Sequence, residues 1–399
     1  MRTQQDIFRL GYFSDVQVNF EPADSTDVDL SLKVVEKETG TASAGAGYSS
    51  DGGLTGFIQL GHNNLFGNGQ SISIQVERGA KRNNVDLSFT DPYFRDSRTT
   101  LGASLFSRDQ LTQIVGTGSN LDYRDKRRGG SIRLGRPLSF LDYTRGYFTY
   151  SLESVDLVTD QVSTVLDSAQ LVLQQFLEGG ARTTSSATFT ITRDNTINPF
   201  YPKGGMRSTW SSEFAGGPLG GQVKYQKHEL DARVYFRSFL HRLTTMVRVR
   251  SGFLGAYGRT VPPYETFRLG GTTYYGVRGY EDYEIVPREN IRTVYTTVND
   301  TTRTSQVVAY PGGRFMQIFT LEQQFPIVEP VHGVLFMDAG GAWNEFSRIR
   351  LLRDLHAGAG AGVRVEVPIL GNIGLDFGYG FNRAKPGWRT HFLLGSLFF

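Results

Sequence analysis

Apolar residues in this chain recur at every second position over runs of 9 to 12 residues, and nowhere do 18 apolar residues follow one another. A two-residue period places alternate side chains on opposite faces of a strand, so the chain is committed to β-structure. Ile72, Ile74 and Val76 oppose Ser71, Ser73, Gln75 and Glu77; Leu230, Ala232, Val234 and Phe236 oppose Glu229, Asp231 and Arg233. Toward the end, Ala357 to Val367 and Ile373 to Phe381 repeat the pattern, with Gly358, Gly360, Gly362, Arg364, Gly374, Asp376, Gly378 and Gly380 on the second face. Strands of soluble sandwiches average about 5–6 residues, and these are longer, with formal charges on the polar face. The absence of a long apolar run excludes a transmembrane helix and leaves a transmembrane barrel open, since barrel strands need only about 9–11 alternating residues.

The connections agree. Short ones are expected at Leu65–Gly69, Arg95–Arg98, Ser139–Asp142, Phe239–Arg242 and Pro368–Asn372, and long ones at Arg108–Arg127, Val155–Gly180, Gly258–Gly312 and Asn344–Leu355. In transmembrane barrels short turns face the periplasm and long loops face outward, and counting runs predicts about 16 strands. The tail His391 to Phe399 alternates and stops on an aromatic, which suits a closing strand better than an exposed edge. The expected fold is all-β: a 16-stranded antiparallel transmembrane β-barrel over residues 41–399. Residues 1–40 read differently. A short helix is expected at Gln4–Leu10, then strands around Val16–Phe20 and Val28–Val34, a unit too small to hold its own core and expected to be the trailing part of a domain. Met1 to Asp6 lacks the apolar core of a secretory signal, so more chain is expected upstream.

Between the strands lies Gly276-Val277-Arg278-Gly279-Tyr280, one arginine between glycines in a long stretch without alternation. A long loop inside a compact barrel is commonly functional. A net charge of +3 and the absence of a basic block give no support to a nucleic-acid partner, and the absence of cysteine excludes thiolate metal sites and a disulfide scaffold. The six histidines lack metal-ligand spacing and most of them read as solvated or interfacial; Arg124–Arg128 reads as a solvated loop end, with anionic lipid headgroups as a second reading. Gly358 to Gly362 mimics a dinucleotide loop without the helix that such a loop requires. Ile349, Leu352 and Leu355 fit one or two helical turns. Parity puts Asp338 on the face opposite Leu335 and Met337, toward a lumen.

The order of motifs carries a resemblance. The lead-in Val34 to Gly40, the glycine-rich strand Thr41 to Ser50, Asn64-Leu65-Phe66-Gly67-Asn68-Gly69-Gln70, Asp91-Pro92-Tyr93-Phe94, Val277-Arg278-Gly279-Tyr280 and the closing aromatic strand together resemble the BamA family, the central subunits of the bacterial outer-membrane β-barrel assembly machinery. The resemblance spans essentially the whole chain. It implies that residues 1–40 are the C-terminal part of the last periplasmic polypeptide-transport-associated (POTRA) domain, a small α+β unit. It implies too that the sixth extracellular loop (258–312) folds into the lumen, with Arg278 meeting Glu322 and Asp338.

The function so implied is folding and insertion of client barrels into the outer membrane, with no enzymatic step, cofactor or metal. Its site is a weak seam between the first and last strands: Ser43, Ala44, Gly45, Ala46 and Gly47 against Leu393, Gly395 and Phe399, where a client strand can add to unpaired backbone. The implied partners are unfolded outer-membrane β-barrel clients, accessory assembly lipoproteins and outer-membrane lipid, and the implied location is the bacterial outer membrane with the N-terminal part in the periplasm. Tyr280 stands where assembly members usually carry phenylalanine and two-partner-secretion translocators often carry tyrosine. A polypeptide translocator of the same superfamily is therefore the alternative.

Overall fold

The computed structural model describes residues 13–22, 28–36, 38–49, 53–114, 121–159, 176–196, 202–238, 243–257, 261–272, 274–298, 301–308, 312–367, 371–383 and 386–394. The expected helix at Gln4–Leu10 and the seam positions Gly395 and Phe399 lie outside the described residues. Two strands come first, β1 (Phe13–Pro22) and β2 (Val28–Glu36), forming a hairpin of their own. There follow β3 (Gly40–Ser49), β4 (Gly53–Leu65), β5 (Gln70–Gly79), β6 (Arg82–Asp91), β7 (Thr100–Ile114), β8 (Leu121–Pro137), β9 (Thr144–Val158), β10 (Arg182–Asp194), β11 (Gly205–Ala215), β12 (Tyr225–Arg237) and β13 (Thr244–Ala256). A second separate hairpin, β14 (Ile291–Val298) and β15 (Thr301–Val308), precedes β16 (Phe315–Val328), β17 (Val331–Trp343), β18 (His356–Val367), β19 (Gly371–Gly380) and β20 (Trp388–Leu394).

β3 to β13 and β16 to β20 make one 16-stranded antiparallel sheet in which each strand pairs with the next in the chain, β13 with β16. Its two edges, β3 and β20, return to within 8 Å of each other between Cα atoms, and among the described residues no ladder bond joins them. This up-and-down order with adjacent ends is a β-barrel. The apolar parity faces outward: Ile58, Leu105 and Met337 are exposed on the wall. The buried cluster instead lies inside, where Leu254, Met316, Ile318 and Ala342 of the wall pack on Val261, Phe267, Leu269, Val277, Tyr280 and Ile285 of the β13–β16 connection. The lumen is thus filled by a loop.

The turn after β4 and the turns at 92–99 and 138–143 mark one end of the barrel, and the β13–β16 connection marks the other. Register pairs Gly40 with His62, so the β1–β2 hairpin joins the barrel at its short-turn end. Strand lengths differ around the wall: β7, β8 and β9 have 15, 17 and 15 residues, whereas β3, β5 and β6 have 10 each. One long connection expected from sequence is much shorter. β7 runs on to Ile114 and β8 starts at Leu121, so most of Arg108–Arg127 is strand, and Arg124–Arg128 lies within β8 rather than at a loop end. The charge run hid the alternation there because Asp109, Arg124, Lys126 and Arg128 put charges on the face opposite the lumenal Arg127 as well, with Arg124 paired to Asp109 at 3.0 Å. The Asn344–Leu355 connection holds a 3-10 turn at Phe346–Arg348 and one helical turn at Leu351–Asp354.

Candidate functional site inside the barrel

The connection from β13 to β16, residues 257–314, is the sixth at the long-loop end and is called loop six below. Backbone bridges Phe267–Gly313 and Leu269–Ile285 fold it into a compact plug. At its tip Gly279 adopts φ 95°, a left-handed value that a side chain would strain. The wall is cut to receive it. A Cβ on Gly378 would lie 2.6 Å from the Gly279 nitrogen, one on Gly380 2.6 Å from the Gly279 oxygen, and one on Gly358 would collide with the Arg278 carbonyl. Lumen-facing glycines of β18 and β19 therefore form a slot for the loop backbone, a close approach that only glycine permits.

The slot delivers Arg278 to three carboxylates. Its Nε and Nη2 donate to Asp338 Oδ2 and Oδ1 at 2.7 and 3.0 Å, and its backbone N–H donates to Asp338 Oδ2 at 3.0 Å. Its Nη1 donates to Glu322 Oε2 at 2.8 Å and to Asp376 Oδ2 at 3.3 Å. The guanidinium carbon stands 3.7 Å from the centroid of the Phe336 ring, a cation–π contact. Burial alone would lower the pKa of Arg278, but Asp338 and Glu322 outweigh it and hold the group well above its ordinary value. Fork geometry on a carboxylate is the strongest form of this contact, and removal of one partner strands buried charge at a cost of roughly 3–5 kcal/mol. Val277 is fully buried, and Tyr280 donates its hydroxyl to the Ala357 carbonyl at 3.0 Å.

Sequence reasoning named Arg278, Glu322 and Asp338, which the structure brings together, and missed two further members. Asp376 is fully buried between Arg278 and Arg364, whose Nη2 donates to it at 2.7 Å. His391, its register partner on β20, is buried and accepts the Gly279 N–H at 3.1 Å on Nε2, which corrects its reading as a solvated or interfacial residue. Parity placed Asp376 on the lumen face; the strand order that sets it beside Arg278 had no signature. Loop six reaches β20 a second time, through the Glu281–Arg389 ion pair, and the β19–β20 connection through Arg383 to Glu284 at 2.9 Å.

A second clamp holds the other end of loop six to the opposite wall. Glu265 receives Lys227 Nζ and Arg127 Nη1, both at 3.0 Å, and Arg127 also binds Asp125. Burial by itself would raise the Glu265 carboxyl; Lys227 and Arg127 more than reverse this and hold it below the usual carboxylate range. Arg127, read from sequence as part of a loop end, is a lumen residue because β8 runs through it. Loop six is thus fastened to β8 and β12 on one side and to β16, β17, β19 and β20 on the other.

The seam positions behave differently. Ser43, Ala44 and Ala46 are exposed on β3, and Gly45 pairs with Phe57, whose ring would meet a Cβ there at 2.7 Å. The glycine thus makes room for an aromatic that lies over it. Gly47 lies on β3 opposite Thr55, and Leu393 lies on β20 opposite Gly374. Among the described residues no group of histidines and carboxylates could hold a metal ion.

A family model described as the Omp85 superfamily domain matches residues 64–398. An outer membrane protein assembly factor BamA of Nitratidesulfovibrio vulgaris is 27% identical over 100% of this chain and 47% of its own length, so the chain spans about half of that relative. The crystal structure of BamA from Haemophilus ducreyi lacking POTRA domains 1–3 superposes with a TM-score of 0.76 at 20% identity, covering 99% of this chain and 77% of that one. CdiB from Acinetobacter baumannii gives 0.59 at 16% identity over 98% and 67%.

Proposed function

The chain belongs to the Omp85 superfamily, and from that membership, with the geometry of its two free edges, we propose that this outer-membrane barrel is an outer-membrane protein assembly factor. The observation that carries the reading is the seam: β3 and β20 lie side by side without a ladder among the described residues, while the lumen behind them is plugged. Unpaired strand edges recruit strands. A client strand adds to β3 or β20 by β-augmentation and leaves sideways into the bilayer, and no covalent chemistry is involved. The 10-residue strands β3, β5 and β6, shorter than β7 to β9, favour a locally thinner bilayer on the seam side, which lowers the cost of insertion. Gly279–His391 and Glu281–Arg389 tie loop six to the last strand, so the lock sets how freely β20 moves. The β1–β2 hairpin, at the short-turn end, is the trailing part of a periplasmic POTRA domain, through which accessory lipoproteins attach.

The second reading, a translocator that passes an extended polypeptide through the lumen, draws on the similarity to CdiB and on Tyr280. It requires loop six to leave the lumen, against both clamps. The test is folding of an unrelated outer-membrane protein into liposomes, with the chain carrying its upstream domains. Wild type is expected to accelerate folding; a cysteine cross-link between Ala44→Cys on β3 and Leu394→Cys on β20 is expected to abolish the acceleration. Passage of a secreted substrate with no acceleration, unaffected by the cross-link, would assign the translocator function instead.

A further inference from the structure

The connection 344–355, the next at the long-loop end after loop six, leans over the outer wall. Phe315 and Trp343 are register partners at the rim, on the face opposite the lumenal Met316 and Ala342, so both look outward. The Phe346 ring returns to within 5.9 Å of the Phe315 ring. Between wall and loop lies an open cavity of about 660 Å³, lined by Phe315, Trp343, Phe346 and Leu351 and bordered by Arg350 and Arg353. Phe346 is 76% exposed and Leu351 42%, an apolar tip that water solvates poorly and a bilayer interface accepts.

The arginines divide into two kinds. Arg288 pairs with Asp354 at 3.5 Å, and Arg348 pairs with Glu345 at 3.2 Å and Glu289 at 3.5 Å. Arg350 and Arg353 are exposed and meet no carboxylate among the described residues, yet both border the apolar cavity and a second cavity of about 360 Å³ behind the loop. Two unneutralised guanidinium groups above an apolar slot complement one kind of molecule, an acyl chain with an anionic head, and guanidinium groups bind phosphate oxygens in pairs. We propose that this loop and the outer wall of β13, β16 and β17 form a docking site for a phosphorylated acyl lipid of the membrane leaflet at the long-loop end.

Trp343 reports on the site. The full chain carrying Trp210→Phe and Trp388→Phe, which leaves Trp343 as its sole tryptophan, is folded into phosphatidylcholine nanodiscs and titrated with brominated phosphatidylglycerol or brominated phosphatidylcholine. The anionic lipid is expected to quench Trp343 at a mole fraction lower by on the order of tenfold, the effect of two arginines near an anionic headgroup. Arg350→Gln with Arg353→Gln is expected to erase that preference, and Arg348→Gln, whose arginine is already paired, to retain it. Heat-modifiable migration checks that each variant is folded. Equal quenching by the two lipids in wild type overturns the proposal without reference to any variant. So does a preference that survives the double substitution, or one that millimolar inorganic phosphate removes, which would mark a site for free phosphate.

Discussion

The inner wall around Arg278 and the edge between β3 and β20 are only a few strands apart and are built in opposite ways. At the first, three carboxylates of β16, β17 and β19 accept hydrogen bonds from Arg278 of loop six within 3.3 Å, and His391 of β20 accepts the neighbouring Gly279 N–H at 3.1 Å. At the second, two strands lie adjacent with their edges unladdered among the described residues. The contrast shows where a barrel can be made firm without being sealed. Buried charge pairs hold the plug in the lumen, while among the described residues no backbone ladder joins the two edge strands. His391 and Arg389 belong to both regions, since they are rooted on β20 and bind loop six.

Arg278→Ala should break the contrast most. It leaves Asp338, Glu322 and Asp376 facing one another with Arg364 as their one paired counter-charge among the described residues, and should cost roughly 3–5 kcal/mol of loop docking. Hydrogen exchange of residues 274–285 should rise by orders of magnitude; unchanged protection would show that the arginine does not hold the loop. Glu265→Gln at the far clamp removes charge-assisted bonds to Lys227 and Arg127 and should cost about 1.5–3 kcal/mol. Proteolysis is expected to cut residues 261–267 while 276–280 stay protected. Because the Glu265 pKa is depressed, its stabilisation is present above the ordinary carboxylate range and is lost only as pH falls through the folded value. Wild type should therefore become protease-sensitive there in acid, and Glu265→Gln should not change with pH.

His391→Ala leaves the Gly279 N–H without its acceptor, at about 1–2 kcal/mol. It should speed cross-linking of cysteines placed across β3 and β20 while barely altering protection of the Glu265 segment. An equal effect at both places would sink the idea that His391 joins lock to seam. Tyr280→Phe keeps the buried ring and removes the hydroxyl bond to Ala357, and a loss of about 0.5–1.5 kcal/mol is expected in the same exchange experiment.

Alternation over 9 to 12 residues determined, without any structure, that the chain makes long two-faced strands, which face of each meets lipid, and that about 16 of them form a barrel. Period-two parity is local, so it survives reading one strand at a time. It set Asp338 and Asp376 toward the lumen. It failed over Arg108–Arg127, where charged residues occupy both faces of the strands. The glycine-flanked loop drew attention to Arg278 and the resemblance to Glu322 and Asp338 as its partners; the glycines of β18 and β19 were legible only as small residues on the polar face. Their use as a slot was decided by the tertiary structure, because a close approach between Gly279 and Gly378 is a relation between chain segments about 100 residues apart. Closure likewise brings Asp376 and His391 to Arg278, and turns Arg127 and Lys227 toward Glu265. Long-range charge pairing depends on which strands become neighbours across a lumen, and no local pattern carries that information.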